Sequence, residues 1–175
     1  MKRLSIFLVF IFVFVINYGC SAHTTIEEGD ALLRIHVRAN SNSEQDQSVK
    51  LKVRDAVTQR LSSTMRNVQS LAQAKQTVSE ERTTLTRIVN RVLMEQGKDY
   101  TCKVRLTNEY FPTRAYGNTI VESGYYDALI IELGKAEGDN WWCIIYPALC
   151  YNAQGNGSIV YKSRIAEWWN NIFGK

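Results

Sequence analysis

The stretch Asn140 to Cys150, read as Asn-Trp-Trp-Cys-Ile-Ile-Tyr-Pro-Ala-Leu-Cys, constrains the fold more than any other part of the chain. Trp141 to Tyr146 is an unbroken run of aromatic, branched and Cys residues, which predicts a strand covered on both faces and therefore a central one. Successive strand residues point to opposite faces, so Trp141 and Trp142 are expected to bury their rings in two different layers, on the order of 200 Å² each. Pro147 has no N–H to donate and ends the ladder. Cys150 comes seven residues after Cys143, near enough for a return turn to bring the sulfurs together. Two buried thiols are the alternative.

A chain of 175 residues with 45% apolar residues and only two Pro can bury one ordinary core, which predicts one domain. Its formal charge of +4 includes Lys2 and Arg3, which open a segment expected to be removed. The remainder is nearly balanced, carries no RNA-recognition signature or zinc-finger spacing, and gives no case for nucleic acid. After Lys2 and Arg3, the thirteen residues Leu4 to Ile16 are apolar except for Ser5. This is the order of a secretory signal and is short for a membrane span. Cys20-Ser21-Ala22 suits cleavage before His23, whereas Gly19-Cys20 resembles the end of a lipoprotein box, and an uncleaved anchor is a third outcome. The organisation expected is a signal peptide over 1–22, a polar linker over 23–30 and a domain over 31–175. Removing Cys20 leaves Cys102, Cys143 and Cys150, an odd count in a compartment that permits disulfides. Cys143 with Cys150 is the first pairing to consider, and Cys102 with Cys143 the second.

Leu33, Ile35 and Val37 alternate with Arg34, His36 and Arg38, which predicts a half-buried strand with one apolar and one basic face. Ser43 followed by Asp46 forms a capping box, and Val49, Val53, Ala56, Val57, Leu61, Met65 and Val68 continue at helical spacing. Ser70 and Gln73 repeat the capping pattern ahead of a second stripe that ends at Gly97. Within it Leu71, Val78, Leu85 and Val92 recur every seven residues, as packing on the domain's own sheet or a coiled-coil partner would require. Cys102, Val104 and Leu106 mark the next strand, and Asn108 to Gly117 reads as a structured loop rich in aromatics. Tyr125 to Leu133 and Trp141 to Tyr146 are expected to pair as an antiparallel hairpin through the polar loop Gly134 to Asp139. Ser163 can cap a last helix carrying Ile165, Trp168, Trp169, Ile172 and Phe173, suited to docking on its own sheet, to a membrane surface or to a partner's groove. The fold class predicted is α+β: an antiparallel sheet of about four strands, a two-helix hairpin on one face and a C-terminal amphipathic helix.

Taken alone, these residues also admit an exported thiol enzyme using Cys143 or Cys102 with His36, or a structural envelope protein. A reactive Cys needs a reachable site and a neighbour that lowers its pKa, and Cys143 lies in a run that reads as buried. With two His in the chain and no Cys-x-x-Cys pair, no metal-ligand spacing is recognisable, and no cofactor is expected.

Two blocks carry a family resemblance. The first is Arg34-Ile-His-Val-Arg-Ala-Asn-Ser-Asn-Ser43 with Asp46-Gln47 and Val53-Arg-Asp-Ala-Val57. The second is Glu109-Tyr-Phe-Pro-Thr-Arg114, Tyr116-Gly117, Gly124-Tyr-Tyr-Asp-Ala-Leu129 and Asn140-Trp-Trp-Cys143 through Pro147 to Leu149-Cys150. In this order they resemble stage II sporulation protein R, with Arg38 standing where an apolar residue is expected and Ala148 where a second Pro is. The resemblance implies a signalling protein of endospore-forming bacteria, exported from the forespore into the space between the two membranes. There it would activate a membrane-embedded aspartic protease from its external face, and that protease would process the precursor of mother-cell sigma factor E. For such a contact the loop residues Tyr110, Phe111, Arg114 and Tyr116 are the candidates, joined by Asn40 and Asp46 if the strand ends lie together. Phe111 and the two Tyr plugging the sheet's end, and Asn40 and Asp46 capping the first helix, are the structural alternatives. Trp141 and Trp142 are expected in the core.

Overall fold

The computed structural model describes residues 24–26, 32–116 and 119–147. Its elements are β1 (Thr24–Ile26), β2 (Leu33–Arg38), α1 (Glu44–Thr64), α2 (Leu71–Glu95), β3 (Cys102–Phe111), β4 (Arg114–Tyr116), β5 (Thr119–Val121), β6 (Gly124–Leu133) and β7 (Asn140–Tyr146). The expected signal segment 1–22, Cys150 and the helix expected after Ser163 lie outside the described residues. Among the described residues no helix is long and apolar enough to cross a membrane.

Both helices start where the sequence says. Ser43 Oγ accepts the Asp46 N–H at 3.2 Å. The Ser43 N–H donates to Ser41 Oγ instead of to Asp46, which leaves the Asp46 carboxylate free for other donors. Ser70 Oγ accepts the Gln73 N–H, and Gln73 Oε1 accepts from Gln69 N, closing that box one residue earlier than expected. At the far end of α2, Gly97 takes φ +66°, and the Gly97 and Lys98 N–H groups bond to Met94 O and Leu93 O, both at 3.0 Å. This closes the helix through the glycine that the sequence marks.

The apolar stripes of α1 and α2 pack on one face of the large sheet. Val53, Val57 and Leu61 of α1 and Val78, Leu85 and Leu93 of α2 meet Ile35, Val37, Leu129, Ile131, Leu133 and Ile145. Each such aliphatic side chain contributes about 2 kcal/mol when fully buried, so the seven-residue recurrence serves the domain's own sheet.

The large sheet has the order β3-β6-β2-β7. It is mixed where an antiparallel sheet was expected, because β2 runs parallel to β6, while β7 and β3 run antiparallel to their neighbours. β6 and β7 do not form a hairpin; β2 lies between them. Their connection straddles the end of β2, with the Gly138 N–H donating to Ala39 O at 2.9 Å and the Glu137 N–H to Asn40 O at 3.3 Å. Periodicity cannot distinguish a hairpin from two strands flanking a third, because both bury the same faces. Among the described strands β7 stands at the end of that order, and Trp141 and Trp142 fall in separate clusters. Cover on both faces comes from the layers packed on the sheet.

Two further expectations give way. Of the stretch expected as a loop, Asn108 to Tyr116 is largely strand: β3 stays paired with β6 through Phe111 opposite Gly124, and β4 follows Pro112 and Thr113. Within the polar spacer 23–30, Thr24–Ile26 pairs in parallel with β5, which pairs with β4 in a small sheet of order β1-β5-β4. Val121 of β5 and Tyr116 of β4 pack with Leu32, Phe111, Tyr126, Ile130, Ile144 and Trp142 on the face of the large sheet turned away from the helices.

Candidate partner-binding face

The face covered by the small sheet carries the basic side chains of β2, of which Arg34 and His36 are buried and Arg38 is partly exposed. Arg34 is fully buried and His36 is 4% exposed. The β2 register sets His36 opposite Trp142 of β7 and Ile130 of β6, with Arg34 opposite Ile144 and Ala128. Side chains opposite one another share a face, so one strand's polar set is pressed among rings and aliphatics.

At one end of this face, charges are matched. Arg38 donates from Nη2 to Glu109 Oε1 at 2.6 Å and from Nη1 to Glu132 Oε1 at 2.8 Å. Arg105 Nη2 reaches the same Glu132 oxygen at 2.9 Å. Burial raises the Glu132 pKa, but the two guanidinium groups outweigh it and hold the carboxyl below its ordinary value. His36 Nδ1 is 2.8 Å from Glu109 Oε1. Its ring sits edge-on to Phe111 at 5.8 Å and tilted against Trp142 at 5.3 Å. Burial lowers the His36 pKa, and the Glu109 carboxylate restores only part of it.

At the other end charges are not matched. The Arg34 guanidinium lies over the Phe111 ring at 4.1 Å and the Tyr126 ring at 4.9 Å, and its Nη2 donates to the Tyr116 hydroxyl at 3.1 Å. Its Nε and Nη1 have no hydrogen-bond partner among the described residues. Arg114 lies over Trp142 at 4.0 Å, with its Nε also buried and without a partner among the described residues. Stacking on buried rings contributes about 2 kcal/mol, whereas a buried cation without a counter-charge costs several kcal/mol. The rings therefore do not fully compensate Arg34.

The structure brings together three of the six residues singled out from sequence. Phe111, Arg114 and Tyr116 gather around Arg34 and Trp142 on this face. Tyr110 points to the opposite face, is 55% exposed and meets Tyr125 edge-on at 5.6 Å. Asn40 and Asp46 sit at the other end of the sheet, where Cys102 opposes Leu133, so the strand ends do not lie together. Asp46 accepts from Asn40 Nδ2 and Lys98 Nζ, each at 2.8 Å, from the Tyr100 hydroxyl at 2.8 Å and from Ser41 Oγ at 2.6 Å. Burial pushes its pKa up, but these donors together hold it well below the usual carboxylate range. The cluster fastens the start of α1 to the start of β3. Sequence reading missed Arg34 and Glu109 as site residues and weighed His36 only as the partner of a thiol, because alternation marks a second face without saying that it is covered.

The thiol pairing with His36 is not formed. Cys143 opposes Ile35 and Cys102 opposes Leu133, which places both sulfurs on the helix face, while His36 points to the other side. Burial raises the Cys102 thiol to about 11, and Cys143 is disulfide-bonded. Cys102 is free, so the alternative bond between Cys102 and Cys143 is not made.

Fold and face together define a mixed-sheet α+β domain in which one sheet face is given to helix packing and the other to arginine, histidine and rings. The chain belongs to the stage II sporulation protein R family: residues 29–156 match the family model described as Stage II sporulation protein R. It is 31% identical over 138 residues to Stage II sporulation protein R of Bacillus subtilis (strain 168), an alignment covering 79% of this chain and 62% of that relative. No solved structure matches the chain.

Proposed function

We propose that this chain is an exported signal of endospore formation that activates the membrane-embedded sporulation aspartic protease, leading to processing of the precursor of mother-cell sigma factor E. Membership of the family across 29–156 carries this reading. The disulfide at Cys143 supports it, because such bonds persist in exported proteins, and Cys150 is the partner we propose for it. The chain acts by binding, not by chemistry of its own. It favours the protease's active arrangement by making more contact with that arrangement than with the inactive one. Arg114, Trp142 and Tyr116, half-buried arginine and rings, have the composition of interface hot spots and supply that contact. The segment 1–22 directs export, and the C-terminal segment with Trp168 and Trp169 provides contact with the membrane surface.

The experiment is co-expression with the protease and the sigma-factor precursor in a non-sporulating host, with and without residues 1–22, reading cleavage by gel shift. Cleavage with the exported form alone is the expected result. Equal cleavage with the leaderless form, or none with all three proteins folded, defeats the proposal.

A further inference from the structure

Four guanidinium groups, those of Arg34, Arg38, Arg105 and Arg114, belong to the second face, and the carboxylates hydrogen-bonded there among the described residues are Glu109 and Glu132. Both carboxylates are taken by Arg38, Arg105 and His36. Arg34 is left with a tyrosine hydroxyl and two rings, and Arg114 with an indole. Arg34 is the more telling of the two. It is fully buried, and its Nε–H and both Nη1–H groups find no acceptor among the described residues. Buried polar groups are nearly always satisfied, and a guanidinium without an acceptor marks a place where one belongs.

We propose that Arg34, with Tyr116 and Arg114 beside it, forms a carboxylate-binding site, and that its occupant is an acidic side chain of the protein partner. The rings of Phe111 and Tyr126 hold the guanidinium plane in place before the ligand arrives, so little side-chain freedom is lost on binding. A carboxylate offers the acceptors that the free N–H groups lack, and charge-assisted bonds of this kind are the stronger ones. Arg34 is fully buried and its Nη2 is held by the half-buried Tyr116, so a carboxylate reaches the guanidinium only when the Tyr116 hydroxyl turns aside. Arg114, over the partly exposed Trp142, supplies a second cation nearer the surface. The proposal deepens the partner-binding reading and rests on it only for the source of the carboxylate.

The test follows the Nε–H resonance of Arg34 in the full chain, assigned by its loss in Arg34→Lys, during titration with acetyl-Gly-Glu-Glu-Gly-amide at constant ionic strength. A saturable downfield shift is expected. The Gln-Gln peptide should give none, and Arg114→Gln should weaken the Glu-Glu peptide at least tenfold. No shift, an equal shift with the Gln-Gln peptide, or a shift with inorganic phosphate alone overturns the carboxylate site. Precursor cleavage then separates the two claims. If the peptide binds and Arg34→Lys still triggers full cleavage, the partner is not the source of the carboxylate. If the peptide binds but the wild-type chain triggers none, the signalling reading fails and the site stands.

Discussion

His36 shows at the scale of a residue how the second face departs from a solvated basic strip. Burial keeps its pKa below 6.5, so the unfolded chain takes up a proton more readily than the folded one. The stability that the neutral ring provides is therefore complete above pH 6.5 and is lost as pH falls toward the folded value. Thermal melting between pH 7.5 and 5 should show a steeper decline for the wild type than for His36→Gln. Asp46 has the same sign of shift in the carboxylate range: its contribution is complete above 3.8 and is lost in more acid solution. Asp46→Ala removes the acceptor of four donors and should cost about 3 kcal/mol in urea unfolding near neutral pH. Asp46 as part of the helix start was legible from Ser43 three residues earlier; its partners Lys98 and Tyr100 were not, because they come from the far end of α2.

Among the elements, the helices were read well and the sheet was not. Both caps, both apolar stripes and the terminal Gly97 follow from contacts within a few residues, which sequence records directly. The position of β2 between β6 and β7 depends on pairings of residues about a hundred positions apart, such as Arg38 with Asn140. That arrangement leaves its mark on a glycine. A Cβ on Gly138 would meet Ser41 O at 2.2 Å and Ser41 C at 2.5 Å, backbone atoms that cannot swing away, whereas one on Gly97 meets nothing within 4 Å. Gly138→Ala should therefore cost more than about 2 kcal/mol, and Gly97→Ala only about 1 kcal/mol for its positive φ. Equal melting temperatures for the two variants would contradict the straddling connection.

For the whole molecule, the two sheet faces divide the work. The helix face is closed by aliphatic side chains and the buried Cys102. The other face holds charged and aromatic groups in a layer that stability alone does not require, since buried ion pairs are seldom better than apolar packing. Phe111, Arg114 and Tyr116 could be picked from sequence because aromatic and arginine residues cluster around Pro112. Arg34 could not, because its importance lies in being buried without a counter-charge, which appears only once β3, β4 and β6 close around it. The claim that this face engages the protease is tested most directly by precursor cleavage in the non-sporulating host with exported Arg114→Ala, compared with Arg87→Ala on the exposed side of α2. We predict about a tenfold loss for Arg114→Ala, ~1.4 kcal/mol of coupling, in a variant that is still fully folded at the assay temperature, and no loss for Arg87→Ala. Full cleavage by a folded Arg114→Ala variant would contradict the account.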